Sequence, residues 1–234
     1  MSEALTIDGL TSGYGEAMVL RDVGLRLMGG EILAVLGKNG MGKTTLLKTI
    51  MGFLPARRGQ ISIFSKPTTG EPPHHLAGRA VAYSPQEQAI FQELTVEENL
   101  KLGLPRGFRL TPELKRVAAF FPFLADRRRQ LAGTLSGGEQ KMLIMARALI
   151  ARPKLMLVDE ITEGLQPSVI LRLADVLRQE KTAHGTAILL IEQNVSFALS
   201  IADRYAVLSR GEVVDHGDAH QPAADTSIAD HLSV

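Results

Sequence analysis

Apolar positions along the 234-residue chain follow two rhythms. Near the N-terminus, ALTIDGL and VLRDVGLRL alternate apolar with polar residues, and this predicts an antiparallel sheet with one face in water. Farther on the apolar residues close up. EILAVLG (31–37), RAVAYS (79–84), KLMLVDE (154–160) and TAILLIEQ (186–193) are short and almost wholly apolar, as strands covered on both faces must be. Helical patterns separate these runs, so the expected fold class is α/β: a central sheet covered by helices, with an antiparallel sheet towards the N-terminus.

Between Gln86 and Leu135 the pattern changes to helices, in LTVEENLKLGL and TPELKRVAAFF. Thr95 and Glu98 have the spacing of a capping box, and Pro112 suits a first helical position. The segment reads as a helical insert. KPTTGEPPHH (66–75) has the composition of a surface loop, and its His74 and His75 have no further ligand residues nearby in sequence to make a metal site. Arg127, Arg128 and Arg129 are expected on a solvated helix face.

Composition narrows the function classes. With 26 Lys and Arg against 25 Asp and Glu the net charge is +1, which argues against a nucleic-acid partner. No cysteine is present, excluding disulfides and thiolate metal sites. MSEALTIDGL does not read as a signal peptide, and no run approaches the length of a membrane span, so a membrane role would come through a partner.

Chemistry is concentrated in a few stretches. GKNGMGKT, from Gly37 to Thr44, fits the phosphate-loop pattern G-x-x-x-x-G-K-[ST], between an apolar strand and the helical KTTLLKTIMG. Glycines let backbone amides curl around phosphates, Lys43 reaches the β- and γ-oxygens, and the Thr44 hydroxyl suits Mg²⁺. KLMLVDE ends a buried strand on Asp159 and Glu160. Ligands in open α/β sheets bind at that edge, where Asp159 would orient Mg²⁺ and Glu160 would polarise the attacking water; a helix cap is the plainer use of such residues. In TLSGGEQ, Ser136 and Glu139 form a capping box, but Gly137 and Gly138 would each cost up to about 1 kcal/mol in a first helical turn. Helix stability does not account for them. A bare helix N-terminus is an anion site.

Taken together these motifs resemble the ATP-binding-cassette (ABC) ATPases over nearly the whole chain, with LSGGEQ (135–140) matching that family's signature. The resemblance implies a phosphate-loop core with an antiparallel β-subdomain and an inserted helical subdomain. Residues 1–86 and 153–234 would form the core and β-subdomain, and 87–152 the insert with the signature. It implies ATP and Mg²⁺ as cofactors, held by Gly37, Asn39, Gly40, Gly42, Lys43, Thr44 and Thr45. It also implies a head-to-tail dimer with a second ABC ATPase subunit, like or unlike, in which Ser136, Gly137, Gly138 and Glu139 face the neighbour's nucleotide. Tyr14 would stack on adenine, though a lone tyrosine can equally be a packing residue. Gln86 would touch Mg²⁺ and hinge the insert. Ile90 and Phe91 lie where the family docks a membrane subunit, or pack inside the insert. Permease subunits, an indirect solute-binding protein and a peripheral place on the cytoplasmic face of the inner membrane complete the expectation.

Three positions depart from the family pattern. Ile161 replaces a common proline after the catalytic pair, Gln166 a common aspartate, and Gln193 a switch histidine. Glutamine donates a hydrogen bond to a phosphate but carries no charge. TVEENL, AGTLSGGEQ, TEGLQPS and the EQN of 192–194 resemble one ATPase subunit of the branched-chain amino-acid importers and their urea and short-amide relatives. TEGLQPS and Gln86 lean towards the urea branch. A lipid or lipopolysaccharide exporter cassette and a non-transport cassette ATPase are the alternatives.

Overall fold

The computed structural model describes residues 2–86 and 90–232. Residues 87–89, where the expected insert begins, lie outside the described residues.

In chain order come β1 (Glu3–Tyr14), β2 (Ala17–Met28), β3 (Ile32–Leu36), α1 (Lys43–Ile50), β4 (Ala56–Ile63), β5 (Lys66–Pro67), α2 (Pro73–Ala77) and β6 (Val81–Ser84). Four helices follow: α3 (Val96–Lys101), α4 (Leu110–Phe120), α5 (Phe123–Asp126) and α6 (Gly137–Ile150). The chain continues through β7 (Leu155–Asp159), α7 (Pro167–His184), β8 (Ala187–Glu192), α8 (Val195–Ile201), β9 (Arg204–Ser209), β10 (Glu212–Asp218) and α9 (Ala224–Leu232). One sheet is antiparallel, in the order β2-β1-β4-β5; the other, β10-β9-β3-β8-β7-β6, is parallel except for β10.

The two sequence rhythms have one physical cause. Buried residues are interleaved mainly with half-buried ones on β1 and with exposed ones on β2, whereas β3, β7 and β8 are buried at every position. Successive side chains of a strand point to opposite faces. Ile32, Ala34, Leu36, Met156, Val158, Ile188 and Leu190 accordingly enter one core, which also holds residues of α3 to α9. Their alternates Leu33, Val35, Leu155, Leu157, Leu189 and Ile191 enter a second core, shared with α1 and the antiparallel sheet. The central sheet is the middle layer between two hydrophobic interiors.

Three local expectations change in the structure. Pro112 is the third residue of α4 rather than its first, a position still free of the need to donate within the helix. Arg127 to Arg129 lie in a turn beyond α5, not on a helix face; Arg127 pairs with Glu139 at 3.0 Å and Arg128 with Glu97 at 3.9 Å. The loop at 66–75 contains β5 and the start of α2, where the rings of His74 and His75 meet edge to face at 4.5 Å. The capping box of Thr95 and Glu98 forms on α3.

Strand register sets what reaches the carboxyl edge of the central sheet. Ser84 pairs with Val158, Asp159 with Ile191, and Glu192 with Leu36. The loops carrying Gln86, Glu160, Gln193 and Gly37 therefore leave the sheet side by side.

Candidate nucleotide site

The turn from β3 into α1 is shaped by close approach. A Cβ on Gly37 would stand 2.5 Å from the Leu208 carbonyl oxygen, and Gly42 holds φ at +103° beside Val19 and Leu20. Lys38, Asn39 and Gly40 are exposed at the tip. No side chain caps α1 and its first turn has no acidic residue, so its amides and dipole remain open to an anion. Thr45 is buried and Thr44 half-buried just inside the helix.

Lys43 turns back into this loop. Its ammonium donates to the carbonyls of Gly37 (2.7 Å) and Lys38 (2.8 Å) and pairs with Glu160 Oε1 at 2.9 Å, with both side chains about 5% exposed or less. The other Glu160 oxygen accepts from Gln86 Nε2 (2.9 Å) and Gln193 Nε2 (2.8 Å). Glu160 itself has φ of +42°, a left-handed backbone that a side chain with Cβ adopts only under constraint from its surroundings. Three chain segments thus converge on the one carboxylate carried by a fourth. Gln86 also donates to Glu163 at 2.7 Å.

Asp159 is the buried neighbour. Among the described residues its Oδ1 has no hydrogen-bond partner, while the Tyr83 hydroxyl reaches Oδ2 at 3.5 Å and the Thr44 hydroxyl lies beside the carboxylate. Burial and then the charge of Glu160 raise its pKa from 3.8 to about 6, against the lowering pull of Thr44 and Lys43. A cavity of about 10 Å³, room for roughly one water centre, lies among Gln86, Lys141, Asp159 and Glu160. An orphaned acidic oxygen beside a threonine hydroxyl fits a hard divalent cation.

The raised pKa carries a stability cost with a definite sign. Between pH 3.8 and 6 the folded chain holds a proton that the unfolded chain has released, so this group's contribution to stability falls as pH rises through that window. Above it the penalty is on the order of 2–3 kcal/mol. Asp159→Asn should therefore raise the melting temperature of the nucleotide-free chain at pH 7.5 and lose that advantage at pH 4, as calorimetry at the two pH values would read. A variant less stable than the parent at pH 7.5 would contradict this account.

The signature residues stand apart from this cluster. Ser136 and Glu139 close the predicted capping box, with Ser136 N–H on Glu139 Oε2 at 3.0 Å and Glu139 N–H on Ser136 Oγ at 3.4 Å. A Cβ added to Gly137 would meet nothing within 4 Å, and one on Gly138 would make only ordinary contacts with Leu165 and Val169 at 3.7 Å. The fold of this chain does not require glycine at either position. Tyr14, at the tip of the β1–β2 hairpin, is 46% exposed; Phe91 is 56% exposed with the Arg147 guanidinium 5.9 Å from its ring centre, and Ile90 packs on the helical core.

A family profile described as ABC transporter matches residues 20–163. The chain belongs to the ABC transporter family. Its ABC fold is shared with a nucleotide-free ATP-binding cassette of an ABC transporter, at a TM-score of 0.87 and 25% identity over 99% of this chain and 97% of the other. The ADP conformation of MJ1267, an ATP-binding cassette of an ABC transporter, superposes at 0.87 with 26% identity, covering 98% and 96%. Among curated relatives, the high-affinity branched-chain amino acid transport ATP-binding protein BraG of Pseudomonas aeruginosa is 38% identical over 217 residues, 91% of each chain. The probable branched-chain amino acid transport ATP-binding protein LivF of Archaeoglobus fulgidus is 38% identical over 214 residues, again 91% of each. The lipopolysaccharide export system ATP-binding protein LptB of Escherichia coli K12 is 33% identical over 217 residues, 91% of this chain and 90% of that one. This ABC protein is thus an ATP-binding, ATP-hydrolysing subunit of a transporter. No helix among its described residues is long and apolar enough to cross a membrane.

Several residues of the cluster were not singled out by sequence reasoning. Tyr83 and Glu163 enter it, and Thr162 and Glu192 pair behind it, only through contacts made by folding. The one local signal was Glu192, a charge closing the otherwise apolar run AILLIE.

Proposed function

We propose that this chain is the ATPase subunit of an importer for a small polar solute, with branched-chain amino acids the favoured class. The observation that carries this reading is the 38% identity to two branched-chain amino acid transport ATP-binding proteins over nine-tenths of the chain. Urea and short-chain amides, towards which TEGLQPS leaned, are the finer alternative within importers. A second reading, lipopolysaccharide export, is favoured by the relatives at 32–33% identity.

In this reading the phosphates of ATP lie on the loop Gly37, Asn39, Gly40 and Gly42 and the N-terminus of α1, including Thr45, with adenine on Tyr14. Mg²⁺, when held by Thr44, Asp159 and Gln86, supplies charge neutralisation at the β- and γ-oxygens. Lys43 leaves Glu160 for the phosphates. Glu160, released from the lysine, accepts a hydrogen bond from the water that attacks the γ-phosphorus, and Gln193 holds the carboxylate or the γ-phosphate through its amide. Ser136, Gly137, Gly138 and Glu139 cover the nucleotide of a second cassette, like or unlike. The unfilled space at Gly137 supports this assignment, because none of the described residues fills it. The insert, with its helices α3 to α6 and the exposed Phe91 ahead of them, faces the permease on the cytoplasmic side of the membrane, and a solute-binding protein acts through that permease.

Purification from native membranes tests the reading, followed by identification of the bound permease and reconstitution in vesicles. ATP hydrolysis should rise when a binding protein loaded with leucine, isoleucine or valine is added. Stimulation by urea would move the solute to the other importer branch; stimulation by lipopolysaccharide alone would replace import with export.

A further inference from the structure

Glu192 is the last residue of β8, 1% exposed, and no role in the site described above falls to it. Its two carboxylate oxygens accept from four groups. Oε1 takes the Thr162 amide at 3.1 Å; Oε2 takes the Thr162 hydroxyl at 2.9 Å and the amides of Gln193 at 3.2 Å and, more distantly, Asn194 at 3.5 Å. Both oxygens hold the segment two residues beyond Glu160, and Oε2 also holds the backbone that carries Gln193.

We propose that Glu192 is a positioning residue for hydrolysis, joining the Glu160 and Gln193 loops through Thr162 so that Glu160 and Gln193 keep a common geometry. Three observations support it beyond the bonds themselves. Glu160 sits in a left-handed conformation that needs outside support, and the residue after it is Ile161, which does not fix its own backbone as proline would. Gln193 reaches Glu160 through a single hydrogen bond donated by its side-chain amide, 2.8 Å long, which is sensitive to small shifts of either loop. Burying a carboxylate is expensive unless its oxygens are hydrogen-bonded, and here burial pushes the Glu192 pKa up while the bonds from Thr162, Asn194 and Gln193 pull it back. A well-packed apolar residue could end β8 without that cost. The carboxylate is matched to four donors on two loops, and a neutral amide could not accept from all of them.

The inference rests on the proposed roles of Glu160 and Gln193, and its test separates the two. Four variants are compared with the parent in the assembled transporter, by kcat, by KM for ATP and by melting temperature: Glu192→Gln, Thr162→Val, Thr162→Ser and Glu160→Gln. Misplacing a reacting group by a fraction of an ångström to one ångström costs up to about a hundredfold in rate, so Glu192→Gln and Thr162→Val should lower kcat roughly ten- to hundredfold with KM for ATP nearly unchanged. Thr162→Ser keeps the hydroxyl and should recover most of the rate lost in Thr162→Val. Combining Glu192→Gln with Gln193→Ala should cost little more than the larger single loss, because both act on one geometry. Wild-type kcat in Glu192→Gln and Thr162→Val, alongside an inactive Glu160→Gln, overturns the positioning role alone. Losses confined to melting temperature or KM do the same. Wild-type hydrolysis by Glu160→Gln overturns the reading of the site itself.

Discussion

Glu160→Gln should lose hydrolysis by two to four orders of magnitude and retain ATP, with affinity equal to or above that of the parent, whereas Lys43→Ala should lose ATP binding. The opposite outcomes follow from one ion pair. Lys43 is held at 2.9 Å by Glu160, so the lysine proposed to bind phosphate is engaged by the carboxylate proposed to hold water. Replacing that carboxylate with an amide removes the competitor for Lys43, and the Gly37 and Lys38 carbonyls remain to orient the ammonium. Removing the lysine leaves the phosphates without their cation and Glu160 buried without a positive partner, a change that usually destabilises as well. Equilibrium binding of a fluorescent ATP analogue and single-turnover hydrolysis separate the two effects. The assignment of Glu160 is falsified if Glu160→Gln turns over at the parent rate.

Gly137→Asp should abolish ATP-dependent association of two cassettes and leave the ATP affinity of the isolated chain unchanged. The isolated fold has empty space where the new Cβ would go, so folding and the chain's own nucleotide site are untouched. A carboxylate at the start of α6 would, however, face the γ-phosphate of the neighbour's ATP. Two unit charges about 4 Å apart repel by roughly 4 kcal/mol at an effective dielectric of 20, and the phosphate carries more than one. Sedimentation of Glu160→Gln with Mg-ATP, alone or with any second cassette recovered in the membrane purification, should show a dimer. Adding Gly137→Asp should return it to monomer. A persistent dimer would leave Gly137 and Gly138 without an explanation.

What the chain showed in advance depended on the range of the forces involved. The apolar runs EILAVLG and TAILLIEQ announced β3 and β8 because burial on both faces acts residue by residue. The phosphate loop was legible for a similar reason, since close backbone approach at Gly37 and the turn at Gly42 demand glycine at fixed spacing. The contacts around Glu160 were not, because Gln86 lies 74 residues away and Gln193 lies 33 away, and only sheet register brings them together. Glu192 was read as part of a motif rather than as a bond between loops. Its partner Thr162 is 30 residues distant. Helix ends were the weakest local signals: Pro112 fits anywhere in a first turn, and charges such as Arg127 to Arg129 are as soluble in a turn as on a helix.

The shared middle sheet also limits how this protein can change length. Moving β8 by one residue against β3 and β7 would exchange the two sets of side chains, sending Leu189 and Ile191 into the helical core and Ile188 and Leu190 into the other. The same step would draw Glu192 or Gln193 off its place at the rim. Single-codon insertions or deletions within β3, β7 or β8 should therefore be among the least tolerated in the gene. Point substitutions at the rim leave both cores intact, and length changes in exposed turns such as that around Gly107 are free of the register altogether. A deletion scan scored for growth on the transported solute would map the strands as three narrow gaps, each closing at the residue where the chain leaves the sheet.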